Sequence, residues 1–165
     1  MTPLLKDPPL NALQLRPTTP ADAEFLRNLF RSTRAALLEN LPGDAAQKNA
    51  LCEMQQRAQA MGYQAAYPDA EYRVICSGDV AVGRMVKAWS EQGLVLVDIA
   101  LLPAFRGRGL GTALLRCLQV EAAAMGKPLL LAVEKSNPAQ SLYLRLGLVV
   151  VGEDDFRLQM MWEAV

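Results

Sequence analysis

Histidine is missing from all 165 residues of the chain. Its absence excludes Ser-His-Asp triads, Cys-His dyads, imidazole proton shuttles and every metal site with a histidine ligand. Acid–base chemistry must therefore use carboxylates, Tyr, Lys, Cys or water. Cysteine is scarce as well. Cys52, Cys76 and Cys117 stand too far apart for a CxxC redox or zinc pattern, and their odd number argues against a disulfide framework. A reducing, cytoplasmic setting fits that usage, no metal is expected, and all three thiols are expected to be core residues. An excess of one charge is lacking too: Lys plus Arg is 17 and Asp plus Glu is 17. No summed field draws the chain to nucleic acid or to a membrane surface, so neither is expected as a partner. No apolar run approaches the roughly 18 residues of a membrane span. The opening MTPLLKDPPL sets a charge and prolines where a secretory signal would carry its apolar stretch.

What the chain does have is a folding composition, 52% hydrophobic and 21% charged. Its length removes roughly two-thirds of the unfolded surface from water. A loose tail over 1–9 and a single domain over 10–165 are expected, because the prolines punctuate periodic segments and mark no linker. Leu13 and Leu15 alternate with polar residues in a strand at 10–16. Phe25, Leu26, Leu29, Phe30, Leu37 and Leu38 fall near the spacing of one helix across 21–40, stopped at Pro42-Gly43, and a second helix runs over 44–62. Strands at 72–76 and 80–89 flank the turn Ser77-Gly78-Asp79. The segment 94–102 is almost continuously apolar, as in a central strand covered on both faces. A helix over 112–125 with Leu114, Leu115, Leu118, Ala122 and Met125 on one face leads to a strand at 129–133. A short helix at 138–146 ends at Gly147, and strands at 148–151 and 156–162 follow. Between those strands, Glu153-Asp154-Asp155 reads as a hairpin turn rather than a cation-binding rim. The sum is a mixed α/β domain with about seven strands and four helices.

The chemistry concentrates in Pro103-Ala-Phe-Arg-Gly-Arg-Gly-Leu-Gly-Thr112, a glycine-rich turn between the buried strand and the amphipathic helix. Gly107, Gly109 and Gly111 let the backbone approach a ligand closely, and the helix start adds a partial positive end suited to phosphate. Arg106 and Arg108 supply countercharge. Two other phosphate motifs fail by spacing. Gly126-Lys127 is followed by Pro128 where a P-loop needs Ser or Thr, and a dinucleotide fingerprint from Gly107 would need glycine where Thr112 stands.

Arg106-Gly-Arg-Gly109-Leu-Gly111, followed by Asn137-Pro-Ala-Gln-Ser-Leu-Tyr143 and the closing Gly147-Leu148, resembles the acetyl-CoA-dependent N-acetyltransferase superfamily, GNAT. The order and spacing match, with Leu148 in place of the usual Phe. The likeness covers about 13–162 and is strongest over 95–150. It implies a mostly antiparallel central sheet whose fourth and fifth strands splay apart and hold pantetheine like an added strand. Acetyl-CoA is the implied cosubstrate, its pyrophosphate on Arg106, Gly107, Arg108, Gly109, Leu110, Gly111 and Thr112. By the same resemblance Leu101 offers a backbone N–H to the thioester carbonyl, Asn137 contacts the cofactor arm and Tyr143 the sulfur. Each has a plainer alternative: Asn137 before Pro138 is an N-cap and N1 pair, and Tyr143 beside Leu142 and Leu146 is a packing residue.

The implied activity is direct acetyl transfer to a primary amine, on a small molecule or a peptide, with a non-catalytic acyl-CoA sensor on the same fold as the alternative. A homodimer is left open. A lysine-like amine must shed its proton at a cost of about 4.6 kcal/mol at pH 7, so a base or a water relay is needed. Asp98, the one charge inside the most buried strand, either has a fixed ionic partner or faces the cleft as that base. Glu134 is the other candidate base, or else a solvated charge at a strand end. The segment 25–72 contains no motif that names the acceptor.

Overall fold

The computed structural model describes residues 13–165; the tail expected at 1–9 and the first residues of the opening strand lie outside the described residues. Strands β1 (Leu13–Pro17), β2 (Glu71–Ser77), β3 (Val80–Trp89), β4 (Leu94–Leu101), β5 (Leu129–Glu134), β6 (Val149–Glu153) and β7 (Arg157–Trp162) form one sheet in the order β1-β2-β3-β4-β5-β7-β6. Every neighbouring pair is antiparallel except β4 and β5, which are parallel. Helices α1 (Ala23–Thr33), α2 (Ala35–Asn40), α3 (Ala45–Ala66), α4 (Leu110–Ala124) and α5 (Gln140–Arg145) complete the domain.

The helix expected across 21–40 is two helices, which makes five where four were expected. It breaks at Arg34 (φ −108°, ψ 3°), whose amide reaches back only three residues to the Arg31 carbonyl. Just before the break the Ser32 and Thr33 hydroxyls donate to the Leu29 and Phe30 carbonyls at 2.6 and 2.7 Å, competing with the backbone for those acceptors. Leu37, expected on the buried face, is half exposed. In α3, by contrast, a capping box starts the helix: Asp44 accepts from the Gln47 amide at 2.8 Å, and the Gln47 side chain accepts from the Asp44 amide at 2.9 Å. That helix runs past Gly62, where it was expected to stop, because a glycine in a helix interior costs only about 1 kcal/mol.

The sheet has two covered faces. On one, Met85, Leu94, Leu96, Leu129, Leu131 and Met160 meet Leu110, Leu114, Leu115, Leu118 and Ala122 of α4 and Tyr143 of α5. Met125, expected on that helical face, is exposed at the C-cap. Lys87 ties this layer with a bridge of 2.6 Å to Glu121 of α4. On the other face Arg84, three residues earlier in β3, donates to Gln59 of α3 at 2.9 Å. The odd spacing sends Lys87 and Arg84 to opposite sides of the strand. Of the three cysteines, Cys52 and Cys76 are buried, but Cys117 is exposed on α4, because position 117 lies off the stripe formed by Leu114, Leu115 and Leu118.

Near the end of β1, Arg16 donates to both oxygens of Asp22 at 2.9 and 2.7 Å, and the Thr19 amide adds a third bond at 2.8 Å. The guanidinium first, then that amide, hold the Asp22 carboxyl well below the usual carboxylate range. A carboxyl depressed in the folded state adds stability above its unfolded pKa of about 4, and the contribution is lost as pH falls toward the depressed value. Asp22→Asn is expected to lower Tm at pH 7 and to flatten the decline of Tm between pH 4 and pH 2 relative to wild type, as read by thermal denaturation. Equal acid slopes in the two proteins would place the acid sensitivity elsewhere.

Candidate active site

Strands β4 and β5 pair at Leu94↔Leu129, Val95↔Leu130 and Leu96↔Leu131, and nowhere beyond. Both continue, β4 to Leu101 and β5 to Glu134, so their C-terminal halves diverge as expected. The cause is local. The β3–β4 register shifts between Val86 and Lys87, where Val97 is the extra residue, and such a bulge bends its strand. The backbone of the divergent halves then faces the gap. The Leu102 amide donates to Val82 at 2.8 Å, and since antiparallel bonding alternates, the N–H and C=O of Leu101 and Ile99 point away from β3. On β5, the Lys135 amide donates to Phe156 at 2.9 Å, which by the same alternation turns Ala132 and Glu134 toward the gap. The Leu101 carbonyl accepts from Arg106 Nε at 3.0 Å, and the Glu134 carbonyl accepts from the Asn137 amide at 2.9 Å and from Gln140 Nε2 at 3.0 Å. The Leu101 N–H is left aimed into the cleft.

Beside that strand end stands the glycine loop. Gly107 and Gly109 hold φ of +72° and +80°, and a Cβ built on either would meet nothing within 4 Å, so the space over the loop is open. Helix α4 begins at Leu110, two residues before the expected start, with Gly109 as an N-cap that carries no side chain to satisfy the first turn. The first intrahelical bond is Ala113 N–H to Gly109 at 3.1 Å, which leaves the amides of Leu110, Gly111 and Thr112 for an external acceptor. An open, uncapped helix start is a fit for a phosphate group. Leu110 can offer only its main chain, since its side chain is in the core. Gly111 seats α5: a Cβ there would lie 3.3 Å from the Leu142 side chain. The Arg106 guanidinium braces the loop against Leu101, and Arg108 lies over the Phe105 ring at 5.5 Å.

Asn137 uses its Oδ1 to accept from the Ala139 amide at 2.9 Å, turning the chain into α5, which starts at Gln140 and not at the expected Pro138. The capping job is therefore done one turn early. Tyr143 is 6% exposed and packs in the core, and its hydroxyl has no hydrogen-bond partner among the described residues. Burial, and then the charge of Asp98, raise its pKa. Asp98 and Tyr143, 45 positions apart in sequence, are thus brought into one field. Of the two readings of Asp98, a fixed ionic partner is present: Arg84 reaches it at 2.5 Å. Glu134, at the open end of β5, is exposed and makes no ion pair among the described residues. Asp154 accepts from the Phe156 and Arg157 amides at 2.8 and 2.7 Å, the bonding of a hairpin turn.

Sequence reasoning passed over Gly83, Arg84, Gln59 and Tyr63. A Cβ on Gly83 would collide with the Ala100 carbonyl of β4, so a glycine there lets β3 lie close to the strand that bears the cleft. Arg84 stands 6.0 Å from the Tyr63 ring. The one signal available was a charge at 84 between the apolar Val82, Met85 and Val86. Among the described residues no cluster of His, Cys, Asp or Glu could hold a metal ion, and no helix is long and apolar enough to cross a membrane.

The sequence matches the model of the Acetyltransferase (GNAT) family over residues 36–148, more than half of the chain. The chain belongs to that family. The matched span of this GNAT protein runs from α2 to the residue before β6, so it holds the divergent strands, the glycine loop and α5. Solved structures share its fold. The PaiA N-acetyltransferase from Thermoplasma acidophilum, in complex with coenzyme A, is 16% identical with a TM-score of 0.68, covering 92% of this chain and 99% of that one. An acetyltransferase from Thermus thermophilus is 20% identical with a TM-score of 0.66, covering 93% and 97%. Mutant forms of the spermidine/spermine N-acetyltransferase SpeG from Vibrio cholerae are 18% identical with a TM-score of 0.61, covering 93% and 94%. Among curated proteins no match is found.

The close approach at Gly83 of this GNAT chain gives a stability test. Gly83→Ala is expected to destabilise by about 1–3 kcal/mol, as overpacking against a backbone carbonyl does. Gly62→Ala, in a helix interior with nothing within 4 Å of the added Cβ, should instead stabilise by about 0.5–1 kcal/mol. Urea denaturation of both variants checks the pair; a Gly83→Ala protein as stable as wild type would mean that β3 and β4 are free to separate.

Proposed function

We propose that this GNAT chain is an N-acetyltransferase that passes an acetyl group from acetyl-CoA to a primary amine by direct attack within a ternary complex. The observation that carries this reading is the Leu101 N–H, aimed into the gap between β4 and β5 beside an uncapped helix start. A relative of the same fold was solved in complex with coenzyme A, which supports it. Acetyl-CoA supplies the activated thioester. The protein's part is binding, orientation and the handling of protons.

The amides of the loop from Gly107 to Thr112, with Arg106 and Arg108, hold the pyrophosphate, and the facing edges of β4 and β5 take pantetheine as an added strand. Leu101 donates its N–H to the carbonyl oxygen, whose charge grows as the amine attacks; a preset donor of this kind removes a cost that water would charge for reorienting. Asn137 spends Oδ1 on its own turn and keeps its Nδ2 hydrogens for the cofactor arm. Tyr143 donates a hydrogen bond to the departing sulfur. Full proton transfer from a phenol near 10 to a thiolate whose thiol lies near 8.5 is uphill by about 2 kcal/mol, and the raised pKa of Tyr143 makes it costlier, so the hydroxyl acts as a donor that keeps its proton. The amine's proton goes to a carboxylate, directly or through water. Asp98 is engaged by Arg84 while Glu134 is unpaired on the same face, which favours Glu134 as the acceptor and Asp98 as the charge that orders the floor of the site.

Two variants test the proposal. Gly109→Val forces a branched residue into a left-handed backbone at the helix start and should weaken CoA binding at least about tenfold by calorimetry, with the far-UV dichroism of the fold retained. Tyr143→Phe should bind CoA as wild type does while thiol release with an amine acceptor slows about ten- to a thousandfold, a loss of roughly 1.4–4 kcal/mol. Unchanged CoA affinity in Gly109→Val would refute the loop assignment. CoA binding without thiol release for any amine would leave an acyl-CoA sensor on the same fold.

A further inference from the structure

We infer that Arg84 is a positioning residue of the acetyl-transfer reaction: one nitrogen of its guanidinium ties Gln59 of α3 to Asp98 of β4, and so fixes α3 against the strand end that bears Leu101. The inference rests on the acetyltransferase reading and adds a residue that acts on the acceptor side of that site. Arg84 Nη2 donates to Gln59 Oε1 at 2.9 Å and to Asp98 Oδ2 at 2.5 Å, which uses both hydrogens of that nitrogen. The guanidinium carbon stands 6.0 Å from the ring of Tyr63, which lies one turn beyond Gln59 on α3. The Arg84 and Asp98 side chains are 16% and 22% exposed, so solvent screens the pair only in part.

The bulge in β4 is what brings Asp98 to this side. Leu94 and Leu96 point into the core toward α4, and strict alternation would send Asp98 after them. Val97 is the extra residue, so the alternation reverses: Asp98 lies opposite Val86 and Ala100 opposite Arg84, while Ile99 and Leu101 pack against the core. Arg84 and Asp98 are therefore diagonal neighbours on the face toward α3. Past the bulge β4 has lost its partner on the β5 side, since that pairing stops at Leu96. Helix α3 is lightly anchored too. Cys52 is its one buried residue, and Gln59 lies about 10 Å further along the axis. Among the described residues no other side-chain hydrogen bond or ion pair joins α3 to the sheet. Two loosely held elements thus meet at one guanidinium. The face toward α4 is filled by packing, so the amine reaches the thioester from the α3 side, and the Arg84 link sets that wall relative to the Leu101 N–H. A misplacement of about 1 Å can cost on the order of a hundredfold in rate. Coenzyme A is held by the glycine loop and by strand backbone, neither of which accepts a bond from the Arg84 side chain.

The test uses two variants. Gln59→Leu cuts the link to α3 and leaves the Arg84–Asp98 pair in place, so the protein keeps its charges matched; Arg84→Met cuts both bonds. Thiol release from acetyl-CoA is followed with lysine, a lysine-containing peptide and spermidine, the fastest in wild type serving as acceptor. Each variant should lower kcat about ten- to a hundredfold, with KM for acetyl-CoA and calorimetric CoA affinity within about twofold of wild type. The double variant should be slower than Arg84→Met by less than about twofold, because Gln59 acts through Arg84. Hydrogen exchange in the CoA-bound protein should quicken at least about tenfold over residues 59–66 in both variants and match wild type in α4. Wild-type kcat in Gln59→Leu, or losses that multiply in the double variant, would overturn the inference while leaving acetyl transfer intact. Failure of CoA to bind would overturn the acetyltransferase reading itself. If CoA binds and none of the three amines turns over, exchange decides: an unchanged rate over 59–66 in both variants overturns the inference, and faster exchange confined to that half of α3 supports it.

Discussion

The hydrogen-bond ladder between β4 and β5 ends after Leu96 and Leu131, and the rest of the site follows from that early stop. A parallel pair that continued to Leu101 and Glu134 would saturate its own amides and carbonyls and leave nothing for a ligand. Two features hold the strands apart. The bulge at Val97 bends β4 away, and the carbonyls that face the gap are taken by groups from the flanking loops, Arg106 at Leu101 and Asn137 with Gln140 at Glu134. Gly83 keeps β3 close behind the bent strand, so the divergence is directed toward β5 and does not open the sheet on the other side. Buried backbone donors are costly to leave unmet, and a cleft edge such as the Leu101 N–H is stable because solvent or ligand reaches it.

The two faces of the sheet divide the labour. Toward α4 and α5 the surface is apolar, with Leu94, Leu96, Leu115, Leu118, Leu129 and Met160 in the core; burying each such side chain contributes about 1.5–3 kcal/mol. That packing sets the N-terminus of α4 against the end of β4. Toward α3 the same strands carry Arg84, Asp98, Glu134 and Arg157. Charge on this face is tolerable because the strands part there and the groups keep contact with solvent or with each other. Tyr143 is buried on the apolar side, and burial first, then the charge of Asp98, raise its pKa. With no histidine in the chain, the proton acceptors available in the site are carboxylates and water.

Much was legible in the amino-acid sequence because the signals are local. The alternation in β3 and the apolar run of β4 placed both strands within a residue, since a strand's burial follows a period of two. The loop from Arg106 to Thr112 announced itself through glycines whose left-handed backbone has few other uses, and Gly147 marked the end of α5 for the same reason. Helix ends were less legible. The break at Arg34 depends on which carbonyls the Ser32 and Thr33 hydroxyls claim, and the start of α4 at Leu110 on how Gly109 turns, neither of which hydrophobic spacing records. The exposure of Cys117 was missed because cysteine is usually buried, and only the packed orientation of α4 shows which stripe faces the sheet.

By itself the sequence determined the succession of strands, the position of the glycine-rich loop, the absence of imidazole chemistry and the family. Those properties are carried by residue type and short spacing, which survive without knowledge of neighbours. Tertiary structure alone decided how far β4 and β5 run together, that Asp98 is held by Arg84, and that the same Arg84 stands 6.0 Å from the Tyr63 ring of α3. Each of these joins residues from separate elements, and strand divergence is a sum of a bulge in one strand, a glycine in a second and loop contacts at both ends. Contacts of that kind acquire their energy only when the elements pack, so no local pattern in the chain could encode them visibly.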